Sequence, residues 1–182
     1  MDRVRSAGFT LLELMIVVII LGVLAAIAVA SFTKHYQYSK SSEVYALMRD
    51  IAAKQESYRS EFGQYLNVSG TMDFANRRPA AAPTDDFGFV GWVPGADAID
   101  QGWNQLGFRP QGAVRFAYVV VAGPPGGTVT GVPAGLANNA DFWWAAVAYG
   151  NYDGLHVGDD ADCSQYYLSS TKNVFAVVNE FE

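Results

Sequence analysis

The sequence predicts an α+β fold, one long N-terminal helix followed by a small antiparallel β-sheet, and three observations predict it. Residues 14–30 form an unbroken run without a charge. From Lys34 to Phe62 there is neither Gly nor Pro, and apolar residues recur at helical spacing. Beyond Gly63 the composition turns to Gly, Pro, Asn and Asp with dense aromatics, and short strand-like runs follow one another with turns between them.

The first half of the helix is an apolar segment. Phe9 to Phe32 is 24 residues in which only Thr10, Glu13 and Ser31 are polar. At ~1.5 Å per residue it is about 36 Å long, enough to cross a hydrocarbon core of ~30 Å with some tilt. Glu13 is the chemically odd member, because a charge inside a bilayer costs about 2.5–3.5 kcal/mol on insertion scales. Such a group needs a partner. A cut between Gly8 and Phe9 would make one: the new α-ammonium of Phe9 on one subunit could pair with Glu13 of its neighbour in a helical bundle. The octapeptide Met1–Gly8 carries Arg3 and Arg5 against Asp2, a net +1 that favours the cytoplasmic side. Cut and paired in this way, the chain would comprise a cleaved leader (1–8), a transmembrane and filament-core half-helix (9–32), an amphipathic half-helix (33–62) and a globular sheet with loops (63–182).

In the second half-helix Val44, Leu47, Met48, Ile51, Tyr58 and Phe62 form one apolar stripe that the sheet would cover. Glu43, Arg49, Asp50, Lys54, Glu56, Arg59 and Glu61 fill the other faces, and Asp50 supports Lys54 across one turn. Gly63 is placed as the left-handed residue that ends the helix.

Strands are expected at Phe87–Val93, Ala113–Ala122, Phe142–Tyr149, Tyr166–Ser169 and Val174–Val178. Ala113–Ala122 is the strongest, with Val114, Phe116, Tyr118 and Val120 alternating against Arg115, Ala117, Val119 and Val121, and Gly123-Pro124-Pro125-Gly126-Gly127 stopping it. Asn67–Pro83 reads as a loop-rich connector. Trp103–Phe108 is too short to assign. Half-helix and sheet together give about 150 residues, enough for one core.

The run Gly8-Phe9-Thr10-Leu11-Leu12-Glu13 behind a basic octapeptide resembles the type IV pilin family, including minor pilins and type II secretion pseudopilins. Phe62-Gly63-Gln64-Tyr65 is similar to the aromatic-Gly-x-aromatic exit of pilin helices. The resemblance implies the pilin fold and cleavage after Gly8 by a prepilin peptidase. It also implies N-methylation of Phe9 and an assembly role for Glu13. An inner-membrane assembly machinery would draw the subunit from the membrane into an extracellular homopolymeric filament. Gly22 matches a helix-weakening glycine of the family. Ala30 stands where most pilins carry proline, and the single Cys163 rules out an intrachain disulfide around the C-terminal loop.

Three readings stay open. The chain is the shaft subunit of a pilus, or a minor pilin or pseudopilin of a short fibre. Alternatively it is a secreted binding domain whose signal peptide ends at Ala28-Val29-Ala30, a reading that leaves Glu13 unexplained. A net charge of −6, or −7 without the leader, argues against nucleic acid. Arg77-Arg78 reads as a solvated loop. His35 and His156 are far apart, so no catalytic constellation, enzyme activity or cofactor is expected, and Cys163 is expected to be buried. Asn151, Asp153, Asp159, Asp160 and Asp162 form an acidic loop that could hold Ca²⁺, although it lacks the EF-hand spacing and reads more simply as a solvated turn.

Overall fold

Uninterrupted helix formers from Leu11 onward produce a single helix, α1 (Leu11–Phe62), of 52 residues. It stops where Gly63 turns left-handed (φ 74°) and donates its N–H to the Arg59 carbonyl at 2.8 Å. The computed structural model describes residues 9–80, 89–93, 95–130, 140–151, 163–172 and 175–178. The expected leader, His156, and Asp153, Asp159, Asp160 and Asp162 of the acidic loop lie outside the described residues. The chain divides into two compact units, Met1–Lys40 and Ser41–Glu182.

The first unit is the apolar beginning of α1. The second carries the rest of α1 with β1 (Val90–Gly91), α2 (Ala98–Leu106), β2 (Ala113–Val114), β3 (Ala117–Gly123), β4 (Trp143–Gly150), β5 (Ser164–Ser169) and β6 (Ala176–Val178). β3-β4-β5-β6 form an antiparallel meander in chain order, in register at Val120↔Ala146, Ala146↔Leu168 and Tyr166↔Val177. β1 and β2 make a separate antiparallel pair.

The strand expected over Ala113–Ala122 is thus two strands in two sheets. The break falls at Arg115 and Phe116, where the Arg115 N–H leaves the ladder and donates to Glu43 of α1 at 2.9 Å. The expected alternation survives beyond the break, but both faces are buried. Phe116, Tyr118, Val120, Trp144, Ala146, Ala148, Tyr166 and Leu168 face α1 and α2. Ala117, Val119, Val121, Trp143, Ala145, Val147 and Tyr149 face the opposite way, against Phe74, Val90 and Val129. Period-2 residues that are all apolar suit a sheet covered on both sides. Alanines on β4 let the covering layers approach closely.

Only part of the predicted stripe on α1 enters the core. Val44, Met48 and Ile51 are fully buried and Leu47 partly so, whereas Phe62 is 56% exposed and pairs with Tyr58 at the helix end (ring centroids 4.4 Å apart). The position between them is taken by a polar residue. Gln55, fully buried, donates through Nε2 to the Leu66 carbonyl (2.8 Å) and accepts from the Leu66 N–H (3.0 Å). This reciprocal amide pair satisfies both polar ends of the side chain and returns the chain against the helix.

Helix α2 occupies the stretch left unassigned. Asp97 is its N-cap, accepting from the Asp100 N–H at 2.8 Å, and Gly107 (φ 72°) ends it. Its buried face contributes Trp103 and Leu106 to the core. Arg78 is not a solvated loop residue: its side chain is 18% exposed and pairs with Asp100 (2.8 Å) and with Asp97. Its backbone also bridges to Tyr118 on β3. Burial of the guanidinium is tolerated because two carboxylates and the Arg77 carbonyl receive its donors. Arg77 lies over the Tyr149 ring at 5.4 Å. Cys163 is buried, as expected.

A fragment beginning at Ser41 should melt in one cooperative transition. Within it, Met48→Ala should cost about 2–5 kcal/mol through the cavity it leaves. Gly150→Ala places a Cβ 2.3 Å from the Phe116 ring and should cost about 1–3 kcal/mol as overpacking. Chemical denaturation of the two variants checks both. A Gly150→Ala protein as stable as the parent would mean that the ring moves freely, contrary to the packing described.

Candidate assembly site

Glu13 lies in the first turn of α1, and the reason for the helix starting there is local. Thr10 is the residue before the helix and Glu13 the third residue within it, the spacing of a capping box. The Thr10 N–H and Oγ1–H both donate to Glu13 Oε2 at 3.0 Å, and Glu13 N–H donates back to Thr10 Oγ1 at 3.2 Å. The Leu14 N–H then starts the regular ladder on the Thr10 carbonyl at 3.3 Å. A carboxylate at this end also suits the partial positive charge of the helix N-terminus. The carboxylate that apolar patterning made so odd therefore has donors within its own turn. Among the described residues only Oε2 is engaged, which leaves Oε1 open to a second donor.

Around it everything is apolar and outward-facing. Leu11–Val29 has a mean hydropathy of 3.0 and none of it is buried within the chain. Phe9 is 85% exposed. The helix runs without interruption through Ala28-Val29-Ala30. Beyond the apolar run, Phe32 and Tyr36 stack with centroids 6.3 Å apart, and Lys40 places Nζ 4.4 Å from the Tyr36 ring centre. Among the described residues no group of three or more His, Cys, Asp or Glu could hold a metal ion; the Asp153, Asp159, Asp160 and Asp162 candidate lies outside them.

Two polar contacts were missed by reading the helix as one stripe with solvated flanks. Glu43 is half-buried; its Oε1 accepts from the Arg115 N–H and, at 3.5 Å, from the Tyr118 hydroxyl. Burial raises its pKa above the ordinary 4.5, with the Arg115 N–H and charge working against that rise. Tyr118 is pushed well up by burial and by the neighbouring Glu43. At the other end, Arg59 donates to Tyr65 Oη (2.9 Å) and Asp141 (2.8 Å), while Tyr65 donates to Glu56 (2.9 Å). Asp141 is held low by the Phe142 N–H first and by Arg59 second. The signal for the second network was present in the sequence as the polar residues around Phe62-Gly63-Gln64-Tyr65, but its partner Asp141 lies 82 residues from Arg59.

Residues 3–29 match the model of the prokaryotic N-terminal methylation motif. The chain is 43% identical over 74 residues to the type IV major pilin protein PilA of Myxococcus xanthus, covering 41% of this chain and 34% of that one. It is 30% identical over 83 residues to the type II secretion system core protein G of Pseudomonas aeruginosa (46% of this chain, 58% of that one). To core protein G of Aeromonas hydrophila it is 26% identical over 98 residues (52% and 68%). The chain thus spans about a third of the pilin it matches and over half of each secretion protein. No solved structure matches it.

Glu43 gives a pH-dependent prediction. Its folded pKa lies above 4.5, so the folded chain binds the extra proton between the two values. This group therefore favours the fold below about pH 4.5 and loses that contribution as the pH rises through its folded value. Glu43→Gln keeps an oxygen for the Arg115 N–H and removes the buried charge. Its melting midpoint should exceed the parent's at pH 7, with the gap closing toward pH 4. A variant less stable at pH 7 would mean that attraction to Arg115 outweighs the cost of burial.

Proposed function

We propose that this chain is the structural subunit of a type IV pilus-like filament, inserted first in the cytoplasmic membrane and polymerised through its N-terminal helix. The observation that carries the reading is the methylation motif over residues 3–29 coinciding with an unburied apolar helix that opens on a capped carboxylate. A prepilin peptidase would cut after Gly8, and Phe9 would then carry a methylated α-amine. The apolar run would hold the subunit in lipid until the assembly machinery withdraws it.

The chemistry of Glu13 follows from its geometry. In the single subunit, Thr10 supplies donors to Oε2, so the carboxylate is never bare in the apolar medium. In the filament, the Phe9 ammonium of a neighbour would approach the same carboxylate and neutralise it. Paired and hydrogen-bonded, two charges offset each other's desolvation; with one partner deleted, the other is stranded, at a cost of about 3–5 kcal/mol. The helices would exchange lipid contacts for close packing with one another, which their aliphatic surface permits. The unbroken helix across Ala28-Val29-Ala30 supports this reading over a signal peptide cut there.

A second reading is favoured by the extent of similarity to the secretion proteins, which exceeds that to PilA in coverage. On it the chain is a pseudopilin building a short periplasmic fibre. Abundance in fibres sheared from cells separates the two: a shaft subunit dominates them, whereas a pseudopilin is nearly absent.

Mass analysis of the processed protein should find a chain beginning at methylated Phe9; one beginning at Ser31 would overturn the proposal. Glu13→Ala should insert in the membrane as well as the parent and yield at least tenfold fewer fibres. Normal fibre amounts from Glu13→Ala would overturn the charge pairing.

A further inference from the structure

The apolar run of α1 continues in sequence past Val29 to Phe32, interrupted only by Ser31. Over the next two turns Phe32, Tyr36 and Lys40 recur at four-residue steps and therefore share one helix face. The two rings lie parallel within 9° with centroids 6.3 Å apart, and the Lys40 ammonium is 4.4 Å from the centre of the Tyr36 ring. Phe32 is 72% exposed and Tyr36 51%, so the rings face outward, with the half-buried Lys40 placing its ammonium over the second of them. All three residues belong to the first unit.

The charge pattern indicates what covers it. Between Leu14 and Ser42 there is no Asp or Glu, and Lys34 and Lys40 are the only Lys or Arg from Phe9 to Ser42. Arg3 and Arg5 lie in the leader. Removing the leader therefore erases the basic residues that hold the proximal end, and leaves side-chain cations only at the distal end of the span. At ~1.5 Å rise, Tyr36 lies about 6 Å and Lys40 about 12 Å beyond Phe32. A headgroup layer of about 5–8 Å on each side of a ~30 Å core places the tyrosine within that layer and the Lys40 backbone about 4–7 Å outside it, from where the side chain leans back toward the helix N-terminus and sets its ammonium over the Tyr36 ring. Aromatic rings favour this layer, and a lysine beside it is attracted to anionic lipid.

We propose that Phe32, Tyr36 and Lys40 form a lipid-binding ladder that engages phospholipid headgroups at the distal membrane face and sets the depth at which the processed subunit waits. The rings sit against acyl carbonyls and glycerol, and the Lys40 ammonium meets headgroup phosphate. This deepens the membrane-subunit reading and rests on it.

The test uses the full chain without its leader, beginning at Phe9, with Ser31→Cys carrying a nitroxide. Cys163, 1% exposed, is shielded from the reagent. The protein is reconstituted in vesicles of phosphatidylglycerol with phosphatidylethanolamine, and separately of phosphatidylcholine. Resistance to alkaline carbonate is scored first, and a chain that washes off overturns the membrane reading itself. In inserted protein the nitroxide's depth is read from its relative exposure to oxygen and to a water-soluble nickel complex. Lys40→Gln and Tyr36→Ala should each move it by about half a turn, ~3 Å, in the anionic vesicles, and Lys40→Arg should leave it unmoved. The Lys40→Gln displacement should fall at least twofold in phosphatidylcholine. Unchanged depth for both Lys40→Gln and Tyr36→Ala overturns the ladder. Unchanged depth with reduced fibre yield also overturns it and assigns the face to a neighbouring subunit.

Discussion

The folded unit depends on one packing relation, the insertion of Val44, Met48 and Ile51 into the inner face of the β3-β4-β5-β6 meander. These side chains are completely buried against Tyr118, Val120, Ala146, Tyr166 and their neighbours. They fix which face of α1 meets the sheet, and other contacts become possible as a result. Glu43 can reach the Arg115 N–H only because its helix turn is pressed against the end of β2. Gln55 can clip Leu66 only because the last turns stay beside the returning chain. The two polar contacts are therefore consequences of apolar packing, and each adds direction to it.

The architecture was legible because its strongest signals are periodic. The helix end at Phe62, the four-strand antiparallel meander and the inner-face set Phe116, Tyr118 and Val120 all follow from spacing and turn residues. What escaped has a common physical cause. The Ala113–Ala122 run is continuous as composition, and nothing local marks the break at Arg115, whose N–H is taken up by Glu43 from 72 residues away. Burial of the second sheet face depends on Phe74 and Val129, contributed by distant loops. Arg78 looked solvated because Asp97 and Asp100, which neutralise it, are 19 and 22 residues off. Helix α2 is different: Asp97 before it and Gly107 after it are ordinary cap signals, so caps would have found what periodicity over nine residues did not.

At the candidate assembly site, the sequence singled out the carboxylate and left its local partner unseen. The apolar run makes Glu13 conspicuous, and a lone charge in lipid suggests an intersubunit partner, which stays a proposal. Thr10 at the capping-box spacing was equally readable and adds a local one. Two partners on one carboxylate are compatible, since Thr10 engages Oε2 and Oε1 stays open among the described residues. The methylation motif covers this N-terminal portion.

The tryptophans give the chain an unplanned optical property. All four, Trp92, Trp103, Trp143 and Trp144, lie in the second unit, and the last three are almost wholly buried. Among the described residues their three indole N–H groups have no acceptor. The apolar first unit has no indole at all. Ultraviolet emission excited at the red edge therefore reports the integrity of the sheet layer and is silent about the N-terminal segment. A single sample can thus be followed through two channels, native indole emission for the folded portion and, for the N-terminal segment, an extrinsic dye that absorbs well to the red of indole emission.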